Sequence, residues 1–156
     1  MNIYEDLTLI IVTYRSEILI RKNLDILRKF KVIIIDNSNS NELEIIIKDY
    51  NNIMLIKSLI NLGYGKAVNL GISKSKTNFV LTVSPDILLN ENSIKTLFSI
   101  FLSNIDFIGI LGPSLYDANM KRRTNGTVSY LKKIKGRKVS SLPSNIPDGN
   151  ICCDYL

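Results

Sequence analysis

The chain is predicted to be an α/β protein with a mostly parallel, Rossmann-like sheet flanked by helices. Three observations predict this. Short, nearly all-apolar runs recur along the chain, as strands buried on both faces of a parallel sheet do. Between these runs lie segments whose apolar residues fall at helical spacing. Several of the apolar runs also stop at polar residues: Thr13-Tyr14, Asp36-Asn37 and Ser84-Pro85-Asp86. In an open α/β sheet the carboxyl ends of the strands share one edge, and ligands bind there.

The elements follow in order. Leu7-Thr8-Leu9-Ile10-Ile11-Val12-Thr13 reads as a buried first strand. A helix follows, with Ile18, Leu19, Leu24, Leu27 and Phe30 apolar and Arg21, Lys22, Asp25 and Arg28 polar. Lys31-Val32-Ile33-Ile34-Ile35-Asp36 is the second strand. The polar cluster from Asn37 to Asn41 turns the chain and can cap a helix carrying Leu43, Ile46 and Ile47. Residues 53–57 form a third strand. Asn61-Leu62-Gly63-Tyr64-Gly65-Lys66-Ala67-Val68-Asn69-Leu70-Gly71-Ile72 then turns into a helix in which Ala67, Leu70 and Gly71 can pack closely on a sheet. Residues 78–83 are a fourth strand, ended by Pro85. A helix starting at Glu91 or Asn92 and a fifth strand at residues 107–112 complete the α/β body. Beyond Pro113, short strands at 114–116 and 127–131 are expected around a turn, followed by a loop over 132–149.

The chain has 156 residues, of which 46% are hydrophobic, enough for one domain with its own core. Its charge of +6 is unevenly spread. Residues 1–112 carry 12 basic and 11 acidic side chains, while residues 113–156 carry 8 basic and 3 acidic ones. The basic tail is suited to anionic lipid head groups, a phosphorylated acceptor or nucleic acid, and equally to being a solvated segment. There is no histidine, so acid–base or metal chemistry falls to carboxylates. The only cysteines, Cys152 and Cys153, are adjacent and match no zinc or redox spacing, which implies a reducing compartment. Neither a signal sequence nor an apolar run long enough to span a membrane is evident.

The glycine stretch at 61–72 is the centre of the expected site. Gly63 and Gly65 let main-chain N–H groups approach a ligand at a strand-to-helix turn. It is not a dinucleotide fingerprint, because the third glycine position holds Val68 and the stretch follows the third strand. Asp36 ends a buried strand and can accept hydrogen bonds from a base or sugar. Asp86 suits a hard cation that takes its other ligands from water and phosphate. Lys66 can offset phosphate charge. Each has a structural alternative: a cap or turn for Asp36, a type I turn for Asp86, a solvated helix lysine for Lys66, and a tight loop for the glycines.

Taken together, these pieces resemble the family 2 glycosyltransferases with a GT-A fold, in particular their rhamnosyltransferase-like bacterial branch. The resemblance rests on residues 10–16, 32–38, 61–72 and 84–86 and covers about Leu7 to Pro113. It implies that Thr13 and Tyr14 lie beside a nucleotide base and that Asp36 binds it. It implies that Asn61, Gly63, Lys66 and Asn69 surround the ribose, diphosphate and sugar. Asp86 matches the last carboxylate of the family's D-x-D-like motif, which holds Mg²⁺ or Mn²⁺. The implied activity is transfer of a sugar from a UDP- or dTDP-sugar to a glycan or lipid-linked acceptor in envelope polysaccharide synthesis. A cytoplasmic setting follows, with the basic tail suited to the inner face of the membrane and no nucleic-acid partner expected.

The sequence also departs from the family pattern. Arg15 stands where the family often has Asn, and Ser84 where that branch usually has Asn. The family's acceptor half, which carries the catalytic base, has no matching motif here, so the base is not assigned. The expectation is a nucleotide-sugar-binding domain at 1–113 and a basic, loop-rich start of an incomplete acceptor region at 114–156. A non-catalytic remnant binding nucleotide sugars is the alternative, and an unrelated flavodoxin- or receiver-like module is another.

Overall fold

The computed structural model describes residues 1–113, together with the backbone of 115–116 and 122–123. The chain divides into two compact units, Met1–Ile94 and Lys95–Leu156.

The first unit is built on a four-stranded parallel sheet. Its strands are β1 (Leu7–Thr13), β2 (Lys31–Asp36), β3 (Ile53–Lys57) and β4 (Phe79–Val83), in spatial order β3-β2-β1-β4. Helices α2 (Glu17–Leu27), α3 (Glu42–Ile47) and α4 (Tyr64–Lys74) connect them. The register sets Thr13 beside Asp36 and Asp36 beside Lys57, so the carboxyl ends of β1, β2 and β3 lie level. The β4 ladder stops at Val83, opposite Ile11. The chain steps outward from β1 to β3 and then crosses back to β4 on the far side of β1. That reversal opens a crevice between the carboxyl ends of β1 and β4, where ligands of such sheets bind.

The apolar strand residues alternate faces. Ile10, Ile33 and Ile35 form one buried cluster with Ala67 of α4, and Val12, Ile56, Leu62 and Leu70 pack around it. Gly71 sits against the same face, where an added Cβ would come within 2.6 Å of Ile10 and 2.9 Å of Ile35. Leu9, Ile11 and Ile34 are buried on the opposite face. Helices α2 and α3 pack on each other. The Asn52 amide donates to the carbonyls of Leu27 (2.9 Å) and Phe30 (2.7 Å), closing the carboxyl end of α2.

A one-turn helix, α1 (Ile3–Asp6), precedes β1 and was not foreseen from the sequence. Asn2 caps it by accepting the Tyr4 N–H, and Tyr4 packs on Phe30 with ring centroids 5.2 Å apart. Helix α5 (Glu91–Ser103) starts where the sequence indicates, with the Asn90 side chain accepting the Ser93 N–H at 3.0 Å.

The expected fifth strand at 107–112 does not form. The N–H groups of Phe107 and Ile108 instead bond the carbonyl of Asn104, in a turn that closes α5. Phe107 and Ile110 are exposed, and the two glycines of the segment, Gly109 and Gly112, weaken a strand. In the second unit, β5 (Leu115–Tyr116) pairs antiparallel with β6 (Arg122–Arg123), so the partner of the first short strand is nearer in sequence than expected. The expected strand at 127–131, the loop at 132–149 and Cys152-Cys153 lie outside the described residues.

Candidate donor-binding site

Three loops of the first unit meet at the carboxyl edge of the sheet, and each is fixed by side chains from the strand ends. The β2 loop is organised by Asp36. Its carboxylate is fully buried. Oδ1 accepts the Ser38 N–H (2.9 Å), the Ser38 hydroxyl (2.5 Å) and, more distantly, the Thr13 hydroxyl (3.4 Å). Oδ2 accepts the Ser40 N–H at 2.9 Å. A carboxylate has about four acceptor positions, and four donors already converge on this one. Asp36 therefore builds the turn from Asn37 to Ser40, the structural alternative weighed above. The Ser38 and Thr13 hydroxyls are the donors that can turn away without moving the backbone, and the Ser38 one is the closer.

Asn37, only 6% exposed, is the residue that sequence reasoning left out of the site. Its backbone N–H bonds the Thr13 carbonyl (2.9 Å), and its side-chain oxygen accepts the Leu62 N–H at 3.2 Å. That fixes the amide orientation. The NH₂ group has no protein acceptor among the described residues and is open to solvent. The signal was an amide at the end of a buried strand, beside a carboxylate.

The β3–α4 loop carries the glycines. Ser58 N–H bonds the Asp36 carbonyl, Leu62 is held by Asn37, and Asn61 turns back to accept the Gly63 N–H at 2.9 Å. Gly63 has φ +74°, a conformation other residues rarely adopt. Nothing lies within 4 Å of a Cβ placed at Gly63 or Gly65, so the backbone there is open to close approach. The N–H groups of Tyr64, Gly65 and Lys66 open α4 and have no carbonyl in the helix to bond. Lys66 and Asn69 are exposed on the first two turns. This arrangement favours an anion.

At β1, Thr13 is buried and Tyr14 is exposed. Arg15 adopts φ +52° and places its guanidinium 5.5 Å from the Tyr14 ring centroid. Across the β1–β4 crevice, Asp86 is exposed in a turn closed by the Ile87 N–H on the Ser84 carbonyl (3.2 Å), and the Ser84 hydroxyl donates to its carboxylate. No group of three or more acidic or cysteine side chains that could hold a metal occurs among the described residues. Asp86 and Ser84 offer hard oxygen ligands, which fit a Mg²⁺ or Mn²⁺ ion completed by water and phosphate oxygens. They do not fit an all-protein cage.

A family model, Glycosyl transferase family 2, matches residues 8–152. The chain belongs to that family. No curated protein gives a significant sequence match. Among solved structures, the glycosyltransferase fold is shared with TarS of S. aureus (residues 1–349) at a TM-score of 0.55 and 21% identity, over 74% of this chain and 43% of that one. A mannosyltransferase of Pyrobaculum calidifontis, PcManGT, solved with GDP-Man and Mn²⁺, aligns with a TM-score of 0.54 and 17% identity, over 61% of this chain and 32% of that one. The chain thus spans less than half the length of either solved neighbour. The family model establishes the family, and the structural likenesses show the GT-A fold. Among the described residues, no helix is long and apolar enough to cross a membrane.

Proposed function

We propose that this chain binds a nucleotide-sugar donor and acts in sugar transfer to a glycan or lipid-linked acceptor, in the rhamnosyltransferase-like branch of the family. The observation that carries this reading is the open glycine turn at the start of α4, tied by Asn37 and Asp36 to the end of β2. Thr13, Tyr14, Asp36 and Asn37 form the base end. Tyr14 offers a ring face, Asn37 offers an amide donor, and Asp36 can accept a base N–H once the Ser38 hydroxyl turns away. Asn61, Gly63, Lys66 and Asn69 hold the ribose, diphosphate and sugar. The N–H groups and Lys66 neutralise phosphate charge, which is greatest on the departing nucleoside diphosphate. Asp86, with Ser84, would hold a divalent ion that supplies further charge stabilisation there. An acceptor hydroxyl attacks the anomeric carbon as the diphosphate oxygen leaves, with a carboxylate taking its proton. The Mn²⁺ in the mannosyltransferase structure supports the choice of cation, and family membership supports a cytoplasmic role in polysaccharide synthesis.

A thermal-shift titration with UDP and dTDP, each with and without Mn²⁺, tests the reading, since ligands that bind only the folded state raise its stability by mass action. The expected result is a nucleotide-dependent rise in Tm that Mn²⁺ enlarges. The Mn²⁺ increment disappears in Asp86→Ala. A folded protein that responds to neither nucleotide overturns the assignment.

A further inference from the structure

Asn23 is a buried polar residue within an apolar helix face. It is 4% exposed on α2, between the buried Ile20 and Leu27, where an amide costs free energy unless every polar atom is paired. Both ends are paired, and both partners are far away in sequence. The amide nitrogen donates to the Ile87 carbonyl at 2.8 Å, and the amide oxygen accepts the Leu89 N–H at 2.9 Å. These partners follow directly on the turn that carries Asp86. Within residues 85–90, Ile87 N–H closes the turn on Ser84, and Asn90 caps α5. Apart from the Asn90 cap on α5, the hydrogen bonds between this segment and another element, among the described residues, both come from Asn23.

We infer that Asn23 is a positioning residue for the Asp86 site. It acts as a two-point backbone clamp that fixes where the Asp86 carboxylate stands at the β1–β4 crevice. The inference rests on the reading of Asp86 as the metal ligand. The β4 ladder ends at Val83 and Leu88 is exposed, while Pro85, Ile87 and Leu89 are half-buried, so packing holds the loop in part and the two Asn23 bonds fix its backbone. A ligating carboxylate must be held within a fraction of an ångström of its productive position, and the shell behind it supplies that precision. The clamp joins α2, the helix that follows β1, to the loop that follows β4. Nothing in the β1, β2 or glycine-loop hydrogen bonding involves Asn23. Its loss is therefore directed at the metal side of the site and spares the base side.

The test measures UDP affinity with and without Mn²⁺, and Mn²⁺ affinity by electron paramagnetic resonance at saturating UDP. It uses wild type, Asp86→Ala, Asn23→Ala and Asn23→Asp, the last retaining an acceptor for the Leu89 N–H. The expected result is metal-free UDP affinity within about twofold of wild type in Asn23→Ala, with the Mn²⁺-dependent gain reduced roughly tenfold, the scale of outer-shell losses at metal sites. Asn23→Asp keeps the acceptor for Leu89 but sets an anionic oxygen against the Ile87 carbonyl, so its Mn²⁺ gain falls at least as far as in Asn23→Ala. An unreduced Mn²⁺ gain in Asn23→Ala overturns the inference, as does a parallel loss of metal-free UDP affinity. If neither Asn23 variant folds, Asn23 is a structural residue and the inference also fails. A wild type without any Mn²⁺ gain, or an Asp86→Ala that keeps it, removes the Asp86 reading itself, which is a distinct result.

Discussion

Asp36 shows how a single carboxylate can build a turn at the strand end where a nucleotide is proposed to bind. Its four donors are the Thr13 hydroxyl, the Ser38 N–H and hydroxyl, and the Ser40 N–H. Replacing Asp36 with Ala leaves these donors facing a buried void. Each buried donor left unpaired costs about 1–3 kcal/mol, so Asp36→Ala is expected to lose roughly 3 kcal/mol or more in urea unfolding. Ser38→Ala deletes one of the two hydroxyl donors and keeps both N–H donors, so a loss of about 1 kcal/mol or less is expected. Because the hydroxyl must leave before a base can reach the carboxylate, Ser38→Ala is also expected to bind UDP at least as tightly as wild type. Equal destabilisation by the two substitutions would remove the organising role from Asp36.

At the scale of elements, the helix α4 separates packing from ligand approach through its glycines. At Gly71 an added methyl meets Ile10 Cγ2 at 2.6 Å. That methyl is fixed to a β-branched side chain in a buried strand, so it cannot swing aside. Overpacking costs about 1–3 kcal/mol and outweighs the roughly 1 kcal/mol of helix propensity that Ala offers over Gly. Gly71→Ala is therefore expected to lower stability in denaturant titration. Gly65→Ala meets nothing within 4 Å, so it should raise stability by a few tenths of a kcal/mol or more while weakening UDP binding by crowding the open turn. A Gly71→Ala variant as stable as wild type would mean that α4 can lift from the sheet. The strands β1 to β4 and the close fit of Ala67 and Gly71 were legible in the sequence, because buried parallel strands and small residues on a helix leave strong local patterns. The segment at 107–112 was misread because its apolar run looks like a strand, whereas the N–H groups of Phe107 and Ile108 are taken by the Asn104 carbonyl just after α5. Asn23 and Asn37 were missed for a related reason. Their partners are main-chain groups of distant loops, and no local pattern encodes those. Only the break that Asn23 makes in the Ile20–Leu27 stripe marked it.

For the whole molecule, donor binding and turnover are expected to separate. The first unit gathers the groups proposed to hold a nucleotide, and its carboxylates at the carboxyl edge already have tasks. Asp36 is buried and saturated, Asp86 is proposed for the cation, and Glu44 pairs with Lys57 at 3.3 Å. Glu17 and Glu42 open α2 and α3, where they complement the helix dipoles. None of them is set beside the glycine turn by a hydrogen bond, as a base activating water needs to be. A UDP-sugar held by this chain with Mn²⁺ and no acceptor is therefore expected to survive, with UDP release no faster than in buffer containing Mn²⁺. Coupled detection of released UDP, run beside the binding titration, checks this. Rapid release would require a base that the described residues do not supply. It would direct substitution to Asp117, Asp148 and Asp154, the only carboxylate side chains after residue 113. Loss of release in one of those variants, with UDP binding retained, would then identify the base.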